Sequence, residues 1–268
     1  MSAKKIDEAE FHLRRKAETL GKFIPTALES YFQKTRSHFF GLLAIFLLLV
    51  IYEAGSAKIY ADQKVMISNS AEVMMQRFLW FIGVRNNLFL WAVYLLGLAW
   101  AFYLAKKQNL LDFKFVYFPY SIFESTLYAV LVGIIAGQLT DRTSLFAMMA
   151  PQTDPAVASM SKELTSAIGA GIYEELLFRL ILISLFLVTF DKLTFLGANK
   201  ILQSALAVAL AAALFSGFHF LGGNEVMAFE PFIYRFYAGV MLGILFMARG
   251  IGVTSYTHAI YNLLLVLR

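Results

Sequence analysis

From residue 38 onward the sequence is built of apolar runs, many of them close to 20 residues long, separated by short charged clusters; about 20 residues of helix is the length that crosses a hydrocarbon core. That pattern constrains the fold more than any other feature. Backbone polar groups in lipid must be satisfied internally, which leaves helices or closed barrels. The period-2 alternation of barrel strands is absent, so the expected fold is all-α, a polytopic transmembrane helical bundle. Composition agrees, since 59% hydrophobic with only 15% charged residues lies outside the range of soluble domains.

Crossing segments are expected near 38–57, 87–105, 116–138, 165–190, 200–219, 233–249 and 251–267, which makes seven spans. An eighth would require 65–84, but Asn69, Glu72, Gln76 and Arg77 make that stretch a better interfacial or re-entrant segment. Upstream, Ile6, Ala9, Leu13, Ala17, Leu20 and Ile24 recur at steps of three and four, one face of an amphipathic helix on the membrane or the bundle. The chain therefore divides into a cytoplasmic amphipathic N-terminal segment, 1–38, and a transmembrane domain, 39–268. The basic stretch before the first apolar run is too long for a secretory signal, so the first span is expected to be retained.

The net charge of +5 sits mostly at the N-terminus and beside the spans. It points to anionic lipid rather than nucleic acid and places the N-terminus in the cytoplasm. A prokaryotic cytoplasmic membrane is the expected location. No cysteine is present, so disulfides, thiolate metal sites and cysteine nucleophiles are excluded.

Ionisable groups inside spans are expensive and call for a reason. They are few here: Glu124, Glu174, Glu175, Arg179, His219 and His258, with Asn262 beside them. Glu175 and Arg179 stand four apart with the acid first, the favourable order for an intrahelical ion pair. Glu174 is rotated about 100° from Glu175 in an α-helix, so its partner must come from across the bundle. His258 and Asn262 share one helix face, as do Phe215 and His219. A carboxylate, two imidazoles and an amide converging from three helices can act on a water and a carbonyl, with Glu as general base, His as shuttle or donor, and His plus Asn as oxyanion donors.

Each element also has a structural reading. A Glu–Arg pair can simply neutralise itself, a helix-end His can be interfacial, and a buried Asn can join helices by hydrogen bonds. Glu124 is read first as a helix-pairing acid and second as a site residue. Tyr173, Phe178 and Phe215 are read as packing.

Glu174-Glu175-x-x-x-Arg179, Phe215-x-x-x-His219 and His258-x-x-x-Asn262 occur in that order on successive apolar helices. The ordered set resembles the CAAX protease and bacteriocin-processing family (CPBP, or Abi) of intramembrane peptidases, which includes CAAX prenyl proteases of the Rce1 type. Phe236-x-x-Gly239-x-x-x-Gly243 and Arg249-Gly250 extend the similarity, which covers about residues 120–268 and makes that region the expected catalytic core. The resemblance implies an endopeptidase in which Glu174 and His219 activate water, His258 and Asn262 form the oxyanion hole, and Glu175 and Arg179 support the site. It further implies a membrane-anchored peptide substrate, of CAAX type or a leader or anchor segment.

Other intramembrane protease plans fit worse, for there is no HExxH, no Asp in an apolar span and no GxSG. Zinc remains an alternative mechanism through Glu174 or Glu175 with His219 and His258, since His₂Glu is a catalytic zinc set; the metal-free reading, with no cofactor, is preferred. The reading from another class is a non-enzymatic membrane protein (transporter, immunity or scaffold protein) that uses the same cluster for proton relay or partner binding. It gives Asn262 no role.

Overall fold

The computed structural model describes residues 27–64, 66, 70–81, 83, 88–111, 114–140, 160–192, 199–220 and 227–267. Helix α1 covers 27–35. It is followed by α2 (His38–Gln63), α3 (Ser70–Phe81), α4 (Leu88–Lys107), α5 (Tyr117–Leu139) and α6 (Met160–Glu174). The last runs through a π-helical stretch, Glu175–Ile183, into α7 (Ser184–Asp191), and α8 (Lys200–Phe218), α9 (Phe229–Arg249) and α10 (Ile251–Val266) complete the order. The described residues contain no strand. The amphipathic pattern at 6–24 lies outside them.

Among the described residues four helices, α2, α5, α8 and α9, are long and apolar enough to cross a membrane. Three expected spans are not among them: 87–105 falls on α4, 165–190 is divided between α6, the π-helical stretch and α7, and 251–267 falls on α10. Helix α10 has only 16 residues, about 24 Å at 1.5 Å per residue against roughly 30 Å of hydrocarbon. Helix α3, inside 65–84, has 12 residues and is too short to cross alone. Its Glu72 Oε2 accepts from the Tyr52 hydroxyl (2.7 Å) and Oε1 from Gln76 Nε2 (3.0 Å), which fastens α3 to α2.

Helix α5 shows what solvent the bundle is built for. Ser121, Ser125, Ala129 and Ala136 are buried, whereas Phe123, Leu127, Leu131 and Ile134 are exposed. A water-soluble helix does the reverse; in lipid, small and hydroxylated residues form the helix contacts and large apolar ones face the acyl chains.

At the centre lies α10. Residues 251–259 are all buried, against α2, α5, α6 and α9. That enclosure explains how a short, hydroxyl-rich helix is tolerated. Thr254 and Thr257 donate to the carbonyls of Gly250 (2.9 Å) and Val253 (2.8 Å), and Ser125 of α5 donates to Val253 O at 3.1 Å. The α9–α10 turn is made at Gly250, whose φ of +79° favours glycine. A Cβ there would lie 2.8 Å from the Arg36 carbonyl oxygen.

Beside that turn, the Arg249 guanidinium forms a two-armed pair with Glu124, Nε to Oε1 at 2.6 Å and Nη2 to Oε2 at 2.9 Å. It also donates to Thr35 Oγ1 (2.9 Å) and to the Phe32 carbonyl (3.3 Å), and the Tyr31 hydroxyl donates to Glu124 Oε2 at 2.5 Å. Burial, aided by the Glu124 carboxylate, holds the Tyr31 hydroxyl well above the usual phenol range, so it remains a donor. Glu124 thus joins α1, α5 and α9 as a helix-pairing acid.

Candidate active site

One close approach governs the site. A Cβ on Gly171 would lie 2.6 Å from Ala259 Cβ and 2.7 Å from Ala259 N, so only glycine lets α6 and α10 meet at this depth. The contact places the end of α6, and the π-helical stretch after it, against the middle of α10. Glu174, Glu175, Arg179 and His258 are 6, 0, 1 and 5% exposed, respectively.

His258 bridges the two adjacent glutamates. Its Nδ1 lies 2.6 Å from Glu175 Oε1, and its Nε2 lies 3.7 Å from Glu174 Oε2. As a carboxylate Glu175 can only accept, so the proton in that bond sits on Nδ1 and the other ring nitrogen turns to Glu174. The cross-bundle partner that helix geometry requires for Glu174 is therefore the His258 imidazole. Arg179 Nη1 stands 2.9 Å from Glu175 Oε1, the intrahelical pair expected from the four-residue spacing.

The pairing occurs within the π-helical stretch, a wider coil than the α-helix assumed in reading the spacing, and such coils recur at functional sites. Although close enough for an ion pair, Arg179 Nη1 is not aligned for a hydrogen bond. Nη1, Nη2 and Glu175 Oε2 are buried without hydrogen bonds among the described residues. The guanidinium carbon lies over the Phe215 ring at 4.4 Å, a cation–π contact that offsets part of the desolvation.

Phe215 also collects both imidazoles, His219 at 4.9 Å and His258 at 6.1 Å between ring centroids, each edge-on. It is packing, as expected, but packing that both histidines share. His219 caps α8 and is half-buried. Its Nδ1 lies 2.9 Å from the carbonyl of Phe215, which can only accept, so the proton in that bond sits on Nδ1; in the neutral ring Nε2 then carries the lone pair. Asn262, one turn beyond His258 on α10, is half-buried.

Glu174, Glu175, Arg179 and His258 are thus in direct contact, His219 joins them through Phe215, and Asn262 stands one turn away on the face of His258. Among the described residues no three His, Asp or Glu side chains are arranged to hold a metal ion. Two residues lay beyond sequence reasoning: Gly171, legible only as part of Gly169-x-Gly171, and Ser255, one turn before His258, whose buried hydroxyl forms no hydrogen bond among the described residues.

Residues 158–264 match the family model described as Type II CAAX prenyl endopeptidase Rce1-like. The matched segment holds every residue of this site and excludes Glu124 and α5, although the resemblance was expected from about residue 120. No curated protein and no solved structure matches the chain. The segment is thus similar to a CAAX-type prenyl endopeptidase family, and the apolar helices make the protein an integral membrane protein.

Proposed function

We propose that this protein, through the segment that matches the CAAX-type endopeptidase model, hydrolyses a peptide bond of a membrane-anchored substrate with a water activated by Glu174. The observation that carries the reading is the His258 imidazole set between two carboxylates, 2.6 Å from Glu175 and 3.7 Å from Glu174.

Glu174 and the Nε2 lone pair of His219 hold the water. Glu174 takes its proton as the oxygen adds to the scissile carbonyl carbon. Asn262 and the His258 ring face the resulting oxyanion. Collapse breaks the C–N bond, and the proton held by Glu174 goes to the amine. Glu175, anchored by Arg179, keeps His258 in register. The substrate reaches the site along the bilayer, which selects chains carrying a lipid or an apolar anchor.

The test is single-turnover cleavage of a lipidated CAAX-type peptide by protein in nanodiscs, run in ¹⁸O-water. The new carboxylate should carry one ¹⁸O, and Glu174→Gln or His258→Ala should lower the rate at least about a hundredfold with the fold intact. Prolonged chelation should leave the rate unchanged. Wild-type turnover in both variants sinks the assignment, and a stoichiometric zinc needed for activity transfers Glu174 from base to ligand.

A further inference from the structure

The junction between α1 and α2 and the end of α4 enclose a cavity of about 250 Å³, whose wall includes Gln33, Arg36, His38, Phe39, Leu104 and Gln108. Helix packing puts it there. The Tyr94 hydroxyl donates to the Leu42 carbonyl, and the Phe102 ring lies edge-on to that of Phe39 at 5.5 Å. Residue 94 thus stands beside 42 and residue 102 beside 39, so α4 runs antiparallel to α2 and its last turn ends next to the first turn of α2. Asn109, in the left-handed region at φ +55°, then folds the chain back, with Leu110 N donating to the Ala105 carbonyl at 2.8 Å. That reversal brings Gln108 to the wall.

The wall is basic. Arg36 and His38 are its ionisable groups, and no acid lines it among the described residues. Ser37 caps α2, its hydroxyl accepting from Phe40 N at 3.2 Å, so the positive end of a 26-residue helix points the same way. Lys106 and Lys107 close α4 just before Gln108. The level is that of lipid headgroups, because α2 is one of the crossing helices and Trp100, Phe102 and Tyr103 are exposed within two turns of those lysines, the grouping that marks a membrane–water boundary. Basic pockets between helices at that depth suit phosphate groups. We propose that this cavity binds the headgroup of an anionic phospholipid, with Arg36 and His38 donating to the phosphate and the Gln33 and Gln108 amides meeting the headgroup's polar end. Its volume lies below the roughly 300–1,000 Å³ of pockets that enclose a drug-sized ligand. It therefore takes the headgroup alone, and the acyl chains lie along α2 and α4, where Leu47, Val50, Leu95 and Leu96 are exposed. The same arginine reaches the α9–α10 turn: Arg36 Nη2 donates to the Met247 carbonyl at 3.1 Å, and the Arg36 carbonyl oxygen is the atom that a Cβ on Gly250 would meet. A lipid that orders Arg36 thus steadies the point from which α10 starts. The proposal goes beyond the peptidase reading and does not depend on it.

The experiment is native mass spectrometry of the whole chain in neutral detergent, titrated with short-chain phosphatidylglycerol, phosphatidylcholine of the same chain length, or inorganic phosphate. It counts ligand on folded protein alone, so a variant that folds poorly does not mimic one that binds poorly. Wild type should bind one phosphatidylglycerol at least about tenfold more tightly than either of the other two, as for charge-assisted bonds. Arg36→Gln should weaken that binding at least about tenfold, and Arg36→Lys by less, since it keeps the charge but not the fork. Gln108→Glu, a change at an exposed position that adds a negative charge to the wall, should weaken it similarly while leaving the melting temperature in lipid-free detergent unchanged. Lys106→Gln and Lys107→Gln lower only the general positive charge and should each matter less than Arg36→Gln. Phosphatidylcholine bound as tightly as phosphatidylglycerol overturns the proposal. So does inorganic phosphate that competes at equal concentration, which would make this a site for a free anion. An affinity that follows the number of lysines and ignores Arg36 and Gln108 overturns it as well.

Discussion

The bundle contains two buried ionic clusters, and they are finished differently. In the Glu124–Arg249 cluster both carboxylate oxygens accept, and the guanidinium donates from Nε, Nη1 and Nη2. The Glu175–Arg179–His258 cluster is more deeply buried, yet it leaves Glu175 Oε2 and both Nη atoms of Arg179 without hydrogen bonds among the described residues. Leaving buried polar atoms unsatisfied is destabilising, on the order of 1–3 kcal/mol for each group. A saturated cluster has valences only for holding helices together, whereas an unsaturated one has valences to offer a reacting molecule. The contrast supports reading the first cluster as a clamp and the second as part of the proposed site.

The largest expected effect would break the comparison at the clamp. Glu124→Gln leaves Arg249 buried without its counter-charge, and removing one member of a buried pair costs about 3–5 kcal/mol. Thermal or denaturant unfolding in detergent should show that loss. Arg249→Met added to Glu124→Gln should recover part of it, and the surviving folded protein should cleave at the wild-type rate per molecule. A clamp variant that melts normally but does not cleave would assign both clusters to catalysis.

Next in size is Glu175→Gln, which sharpens the same contrast because Glu175 serves both stability and orientation. An amide can turn its NH₂ toward His258 and reverse the tautomer, so turnover should drop about ten- to a hundredfold. Stability should fall by less than in the clamp variant, and Arg179→Leu in the same background should restore stability but not turnover. Loss of stability with normal turnover would reduce Glu175 to a counter-ion for Arg179.

The smallest effect is expected at Gly171→Ala, which adds one methyl where Ala259 Cβ is 2.6 Å away. Overpacking of this kind costs typically about 1–3 kcal/mol. Because the two helices must part, the imidazole moves away from Glu174 as well. Turnover should therefore fall more than the melt does, and an equal change at Gly97, where an added Cβ meets nothing, should move neither.

Much of this was legible in the residues. Hydropathy locates the helices because lipid writes its demands into whole segments, and the Glu175–Arg179 pair follows from a spacing of four. Glu124 could be read only as half of a pair, since Arg249 lies 125 positions away and nothing local joins them. The bond from His258 to Glu175 depends on how two helices are rotated about their axes, which periodicity does not fix to within one residue. Nor does the run Glu-Leu-Leu-Phe-Arg announce a π-helical coil. Hydropathy alone also does not show that α10 is only 16 residues long and enclosed by other helices, where the length rule that lipid imposes does not apply.

That enclosure bears on how the protein is made. Thr254, Ser255, Thr257, His258 and Asn262 make α10 a poor candidate to leave the translocon for lipid unaided. The helices that surround it, α2, α5, α6 and α9, all precede it in the chain. Synthesis therefore readies the receptacle before the guest emerges, and the helix that carries His258 and Asn262 inserts after those that enclose it. We predict that 251–267 fused alone to a glycosylation reporter fails to span, while 38–63 alone spans efficiently. Efficient insertion of the isolated segment would mean that its neighbours shelter the finished helix but are not needed to bring it in.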